Sequence, residues 1–316
     1  MSIKPEYNQV ARIKVFGIGG AGCNVVNRLV ESGLDPAHCV AVDTSSAAGK
    51  NSLAKTFIQI GSGITGGTGT GGDPKKGQMA AEAASDKFQE LFAGTDMVFI
   101  ALGAGGGTGT GAGPIIAKAA NQSGALTIGV VSKPFGFEGK KRMAVAEKGI
   151  GFLKECLDSI IIVPNNQLLS VSDSATTIFN AFKRSDEVLR DGINAIVSII
   201  TEVGDINIDF ADVRTVMTGR GISYMGTGEA SGENAVIEAL KKAIESPLLE
   251  TSIDGARAVL FNVTGGQDLA ILEVDQAARY VCDAVSRDAI IIFGTTIKES
   301  FADRVLVTVI ACGLGQ

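Results

Sequence analysis

Gly103-Ala-Gly-Gly-Gly-Thr-Gly-Thr-Gly-Ala-Gly113 is the stretch on which the reading of this chain turns. Seven of its eleven residues are glycine, a density that a helix or strand interior accommodates only at a cost. An apolar run, Met97-Val-Phe-Ile-Ala-Leu102, leads into it and reads as a buried strand. Pro114 follows where proline is favoured, at the first position of a helix, and Ile115-Ile-Ala117 begins an apolar stripe. Strand, glycine loop and helix start, in that order, make a phosphate cradle: bare glycines let N–H groups approach an anion, and the helix dipole favours its charge. Ala112-Gly-Pro114 stands where a Walker A loop needs lysine and a hydroxyl residue. A phosphate here is therefore held by backbone amides and by the Thr108 and Thr110 hydroxyls.

Upstream, Ala11-Arg-Ile-Lys-Val-Phe16 alternates as a strand and runs into Gly17-Ile-Gly-Gly-Ala-Gly22, after which Asn24 to Val30 has helical spacing. Cys39-Val-Ala-Val42 reads as the next strand and ends at Asp43. This is the dinucleotide fingerprint with its ribose-binding acid, so an NAD-dependent oxidoreductase is one reading of these residues. Gly61-Ser-Gly-Ile-Thr-Gly-Gly-Thr-Gly-Thr-Gly-Gly72 partly echoes the opening loop. It is either a mobile glycine loop or a contact for a terminal phosphate.

Leu126 to Val131 and Ser159 to Val163 are further buried strands. Between them, Glu138 and Arg142 lie one helical turn apart, as a surface ion pair or as holders of ribose and phosphate. The repeated strand–loop–helix alternation gives an α/β parallel sheet, Rossmann-like, with every candidate ligand group at a strand's C-terminal end. From Ser174 to Val203 the pattern is one long helix, spanning about 45 Å at ~1.5 Å per residue, with Asp173 and Ser174 as caps and Ile178, Phe182, Leu189, Ile193, Ile196, Ile200 and Val203 on its apolar stripe. Phe182 and Asp186 near its start suit a base, by stacking and by accepting ring N–H groups; alternatively Phe182 is core and Asp186 solvated. Beyond the helix, Asn207, Asp209 and Asp212 form an acidic loop that either caps the helix Asp212 to Met217 or orients water at a phosphate. The same long helix keeps these acids away from Asp186.

The remainder alternates helices (Asn234 to Ile244, stopped by Ser246-Pro247, and Asp275 to Val285) with strands (Ala256 to Val263, Ala289 to Phe293 and Arg304 to Ile310), a small α+β layer. We therefore expect a nucleotide domain at 1–173, a central helix at 174–203 and a C-terminal α+β domain at 204–316 carrying the acidic loop. The net charge of −6 argues against a nucleic-acid partner, which needs a basic surface. Five scattered cysteines without a CxxC pair indicate free thiols in a reducing cytoplasm, and no apolar run is long enough to insert into a membrane. His38 is the sole histidine, in a turn-like connection with no nucleophile motif nearby.

Gly105-Gly-Gly-Thr-Gly-Thr-Gly111 resembles the signature of the tubulin/FtsZ GTPase family in its prokaryotic cell-division form. Further matches run from about Ile13 to Gly313. Among them are Gly19-Gly-Ala-Gly-Cys-Asn24, Lys133-Pro-Phe135, Phe137-Glu-Gly139, Pro164-Asn165, Asn207-Ile-Asp-Phe-Ala-Asp-Val213 and Asn262-Val-Thr-Gly-Gly266. The resemblance implies a GTPase that polymerises head to tail into cytoplasmic filaments, joins a mid-cell division ring and meets accessory proteins there. Gly20, Ala21, Gly22, Cys23 and Asn24, with Gly105, Gly106, Gly107, Thr108 and Gly109, would then hold the GTP or GDP phosphates. Glu138 and Arg142 would contact ribose and phosphate, and Asn165, Phe182 and Asp186 the guanine. Mg2+ would be held mainly by the phosphates, with no protein metal cluster. Asp209 and Asp212, with Asn207, would complete hydrolysis on the neighbouring subunit's nucleotide, which accounts for their distance from Asp186.

The chain departs from the family's pattern in several places. Asp43-Thr-Ser45 stands where Asn-Thr-Asp is common, Gly66 replaces an arginine, Thr68 and Thr70 stand for leucine and alanine, and Asn234 replaces a second arginine. These changes keep open a GTP-binding scaffold with weak or no hydrolysis. The sequence as given stops at Gln316, so no membrane-tethering tail is expected from it. An oxidoreductase leaves the second glycine loop and the acidic loop without a role.

Overall fold

The computed structural model describes residues 11–170, 176–201, 206–245, 253–302 and 304–314. The first half lays down β1 (Ile13–Ile18), α1 (Gly19–Glu31), β2 (Cys39–Asp43), α2 (Ser46–Lys50), β3 (Thr56–Gln59), α3 (Ser62–Thr65), α4 (Pro74–Glu82) and α5 (Ser85–Phe92). Then come β4 (Met97–Gly103), α6 (Thr108–Gln122), β5 (Leu126–Lys133), α7 (Lys140–Lys154), β6 (Ser159–Pro164), α8 (Asn165–Ser170) and α9 (Ile178–Thr201). The second half adds α10 (Phe210–Met217), β7 (Gly221–Ala230), α11 (Ala235–Ile244), β8 (Ala258–Gly265), α12 (Ile271–Ala284), β9 (Ile290–Ile297) and β10 (Val305–Cys312).

All ten strands form one sheet in the order β3-β2-β1-β4-β5-β6-β7-β10-β8-β9. The pairs from β3 through β7 are parallel, and only β10 runs antiparallel, to both β7 and β8. β4 shows why its sequence is uniformly apolar. Met97, Phe99 and Ala101 enter the core beneath α1, α9 and α10, while Val98, Ile100 and Leu102 enter the opposite core beneath α4 to α7. A strand covered by helices on both faces has no polar side to alternate with.

The first of these cores crosses the joint between the two halves. Leu189, Ile193 and Ile196 of α9 share it with Val15, Ile128, Leu260 and Ile310. The α+β layer is thus an extension of the nucleotide-side sheet through β6 and β7, with Ser159 opposite Gly221, and it has its own second core only beneath α11 and α12. Each fully buried leucine or isoleucine on the α9 stripe contributes about 1.5–3 kcal/mol.

Three sequence expectations change. The helix after the opening loop starts at Thr108, so Pro114 sits inside α6 and Gly109, Gly111 and Gly113 are helical. Glycine is tolerated there because neighbours press close: a Cβ at Gly111 would collide with the Pro74 carbonyl of α4, and one at Gly113 with Leu102. The described part of the long helix has 24 residues, about 36 Å. Its first stripe positions are not core, since Ile178 is 68% exposed and Phe182 39%. Strand β7 has no counterpart in the sequence reading. Gly226 and Gly228 interrupt its pattern because α11 lies directly on them, where a Cβ would strike the Ala243 and Ala239 carbonyls. The expected caps Asp173 and Ser174, the helix end at Val203 and the Ser246-Pro247 stop lie outside the described residues. Among the described residues no helix is long and apolar enough to cross a membrane.

Candidate nucleotide site

The site gathers at the C-terminal ends of β1, β2, β4, β5 and β6, where an open parallel sheet leaves a crevice. The first loop turns sharply at Gly19, whose φ of +72° favours glycine. A Cβ at Gly22 would collide with the Ala101 carbonyl, so the start of α1 lies against β4. Gly20 and Asn24 are exposed and Ala21 half-buried, whereas the Cys23 side chain is turned inward with Sγ against the Gly17 and Val42 carbonyls. Burial and the Asp43 charge push that thiol up to about 12, so Cys23 can offer a nucleotide only its backbone.

The opening loop faces it. Gly105 takes φ +93° and packs against Pro134 and Arg142, and its N–H donates to Thr110 Oγ1 at 2.8 Å. Gly106 meets nothing within 4 Å on its Cβ side, leaving an open approach to the backbone. Thr108 opens α6, a 15-residue helix whose N-terminus supplies unpaired N–H groups and a positive dipole end. The second glycine loop is tied down. Ser46 N–H donates to the Gly67 carbonyl at 3.0 Å, Ser45 bridges Thr68, and Thr70 Oγ1 abuts Gly107. These contacts hold the loop beside Gly107 of the opening loop.

The base end is built by α8, α9 and the β5–α7 connection. Ser185 Oγ donates to Asn165 Oδ1 at 2.7 Å, fixing that side chain, which is almost fully buried. Phe135 and Phe137 stack at 5.0 Å, and Phe182 meets both edge-on at 5.2 and 6.2 Å, leaving part of its ring exposed. Asp186 is buried to 9% exposure and hydrogen-bonds Asn24 of the first loop. Burial pushes its carboxyl up to about 7, against the downward pull of Arg28 and the Asn24 amide, with Glu187 adding to the rise. Glu138 accepts from Phe135 N–H at 2.8 Å and pairs with Arg142 at 3.1 Å, so the expected ion pair forms, on the rim of the crevice rather than apart from it.

The residues assigned to phosphates, ribose and base thus converge on one crevice. The sequence reading gave no site role to Thr44, Phe135, Phe137 or Arg28. Thr44, Phe135 and Phe137 stood within quoted motifs, but only packing shows what they face.

The acidic loop is elsewhere. Asp209 caps α10: its carboxylate accepts from Asp212 N–H at 3.0 Å, and the Asp212 carboxylate accepts from Asp209 N–H at 3.1 Å. This is a reciprocal capping box. Arg214 of the same helix donates to the Gly124 carbonyl at 2.8 Å, just before β5. Helix α10 therefore stands at the N-terminal edge of β4 and β5, while the glycine loops stand at their C-terminal edge. Seven- and eight-residue strands separate those edges by roughly 20–25 Å. Asn207 and Asp209 are exposed and Asp212 half-buried. His38, with Nδ1 2.9 Å from the Ile13 carbonyl, also lies at the strand-start edge.

A mostly parallel sheet with glycine loops over a helix N-terminus, an aromatic and a buried acid on a long helix and an acidic helix cap behind it is the arrangement of a tubulin-fold GTPase. Residues 12–173 match the Tubulin/FtsZ family GTPase domain, and residues 221–315 the FtsZ family C-terminal domain. The fold superposes on an empty FtsZ dimer from M. jannaschii with a TM-score of 0.89 and 39% identity, over 96% of this chain and 89% of that one. CetZ1 from Haloferax volcanii, a GDP-bound monomer, matches with a TM-score of 0.84 at 19% identity, covering 96% of this chain and 95% of that one; at that identity the likeness is one of fold. CetZ2 from the same organism, a GTPγS-bound protofilament, gives 0.81 and 21%, over 95% and 92%. The chain belongs to the tubulin/FtsZ family. It is a GTP-binding cytoskeletal protein with the family's GTPase domain, and the glycine loop at Gly17–Gly22 belongs to that domain, not to an oxidoreductase.

Proposed function

We propose that the chain polymerises head to tail and that hydrolysis of GTP is completed by Asn207, Asp209 and Asp212 of the adjacent subunit. The observation that carries this reading is the split of the site. The phosphate cradle and the acids stand on opposite edges of one rigid sheet, roughly 20–25 Å apart, so a chain cannot bring its own acids to its own nucleotide. Translating one copy along the strand direction brings the edges together, and such a heterologous contact repeats into an open filament. The GTPγS-bound protofilament of CetZ2, a protein of the same fold, supports this reading.

In this reading Gly20–Asn24 and Gly105–Gly109 hold the phosphates with backbone amides. Glu138 and Arg142 flank the ribose, and Asn165, Phe182 and Asp186 bind the guanine. The neighbour's carboxylates orient the attacking water and accept its proton, the positioning task of phosphoryl transfer. Mg2+ fits the donor set. Thr108 supplies a hard hydroxyl oxygen at the start of α6. The ion, kept by the phosphates and water, would neutralise charge on the β- and γ-oxygens. A nucleotide domain at 1–173, a central helix at 174–203 and a C-terminal domain at 204–316, cytoplasmic placement, a place in the division ring and its accessory partners complete the proposal.

Phosphate release from GTP across a protein dilution series, with sedimentation of polymer in parallel, tests it. Specific activity that climbs with concentration and tracks the pellet is expected, and Asp212→Ala should lose hydrolysis while still binding GTP. Activity strictly proportional to protein without polymer would end the split-site mechanism.

A further inference from the structure

We propose that Asp43 is a positioning residue that turns the Thr108 hydroxyl into a ligand for the Mg2+ of bound GTP. The inference rests on the assignment of the crevice as a GTP site and adds to it a metal contact and the residue that sets it. It starts from the chain's departure after β2, where Asp43-Thr-Ser45 places the acid at the strand end.

The acid is held in place by its own turn: Ser45 N–H donates to Asp43 Oδ1 at 3.0 Å. The next residue, Thr44, is fully buried, and its Oγ1 lies 3.4 Å from Asp43 Oδ1 and 2.8 Å from Thr108 Oγ1. A threonine hydroxyl carries one proton, and an ionised carboxylate can only accept. Both contacts of Thr44 are satisfied together in a single direction: Thr44 donates to Asp43 and accepts from Thr108. The Thr108 proton is then spent inward, and the hydroxyl has only lone pairs left to offer a ligand.

That orientation selects the ligand. Thr108 is the first residue of α6, where backbone N–H groups already serve the phosphates. A hydroxyl without a free proton is repelled by phosphate oxygens and attracted by a hard cation, which prefers oxygen donors. The hydroxyl residue at the start of a P-loop helix takes a magnesium ion in the same setting, though this loop lacks the P-loop lysine. The relay replaces the usual carboxylate or carbonyl support behind a metal ligand, and losing such support typically costs about 10–100-fold in metal affinity.

The test measures GTP affinity by calorimetry in EDTA and in Mg2+, and Mn2+ binding to the GTP complex by electron paramagnetic resonance, for the full chain. Wild type should gain affinity from Mg2+. Thr44→Val, which alters no charge, should cut that gain and weaken Mn2+ binding about tenfold while leaving affinity in EDTA unchanged or tighter. Asp43→Ala should do the same, and the double variant should add nothing further, because both residues act through one hydroxyl. Thr44→Ser restores the relay and should restore the gain, which guards against a merely misfolded valine variant. A loss in Asp43→Ala but not in Thr44→Val would mean the carboxylate acts through space, and the relay would be wrong. Equal loss of affinity with and without Mg2+ would also overturn it. Failure of wild type to bind GTP under either condition would instead reject the site assignment itself.

Discussion

With Asp186 in the proposed guanine site, GTP affinity should depend on pH, with a sign fixed by its surroundings. The guanine ring offers two N–H donors on one edge, and a carboxylate that must accept from both has to be ionised. In the empty protein burial has moved this carboxyl up to about 7, with Arg28 and Asn24 pulling against the shift and Glu187 reinforcing it. At pH 8 about nine-tenths of the molecules are then ready to bind, and at pH 6 about one-tenth, so the dissociation constant should rise about tenfold between them, ~1.4 kcal/mol. Binding near neutrality releases a proton, which calorimetry in buffers of different ionisation enthalpy detects. The folding linkage runs the opposite way with pH. The folded value lies above the usual 3.8, so the stability this group contributes is full below about pH 4 and is lost as pH rises through about 7. The terminal phosphate of GTP titrates in the same range, so the quantity to compare is the difference in slope between wild type and Asp186→Asn. Equal slopes in the two proteins would refute the argument, because the variant has no carboxyl left to titrate.

Three further outcomes follow from particular contacts. Asp209→Ser keeps a side-chain oxygen for the α10 cap, whereas Asp209→Ala loses it at a cost of about 1 kcal/mol; both should lose assembly-dependent hydrolysis, and thermal unfolding should separate them. Phe182→Ala removes the half-exposed ring beside Phe135 and Phe137 and should weaken guanine nucleotide binding by ~1–3 kcal/mol, the range for base stacking, as read by equilibrium binding. Gly111→Ala forces α6 away from the Pro74 carbonyl and should cost about 1–3 kcal/mol in denaturant unfolding; an unchanged midpoint would contradict the close approach of α4.

The sequence by itself settled what depends on neighbours along the chain. The apolar runs of β1, β4, β5 and β6 and the glycine loops after β1 and β4 are local patterns whose physics is complete within a dozen residues. It missed β7 because Gly226 and Gly228 serve α11 rather than their own strand, and it placed the start of α6 at Pro114 because the reason for helical glycines is α4. Only the tertiary structure could join Asn24 to Asp186, raise that carboxyl by burial, set Phe182 against Phe135, and thread Thr44 between Asp43 and Thr108. It also decided that the acids and the phosphate cradle occupy opposite edges of one sheet. Residue types name the chemistry a chain can do, but distance, direction and desolvation belong to packing. Those three fix which proton is where and which site is left half-built.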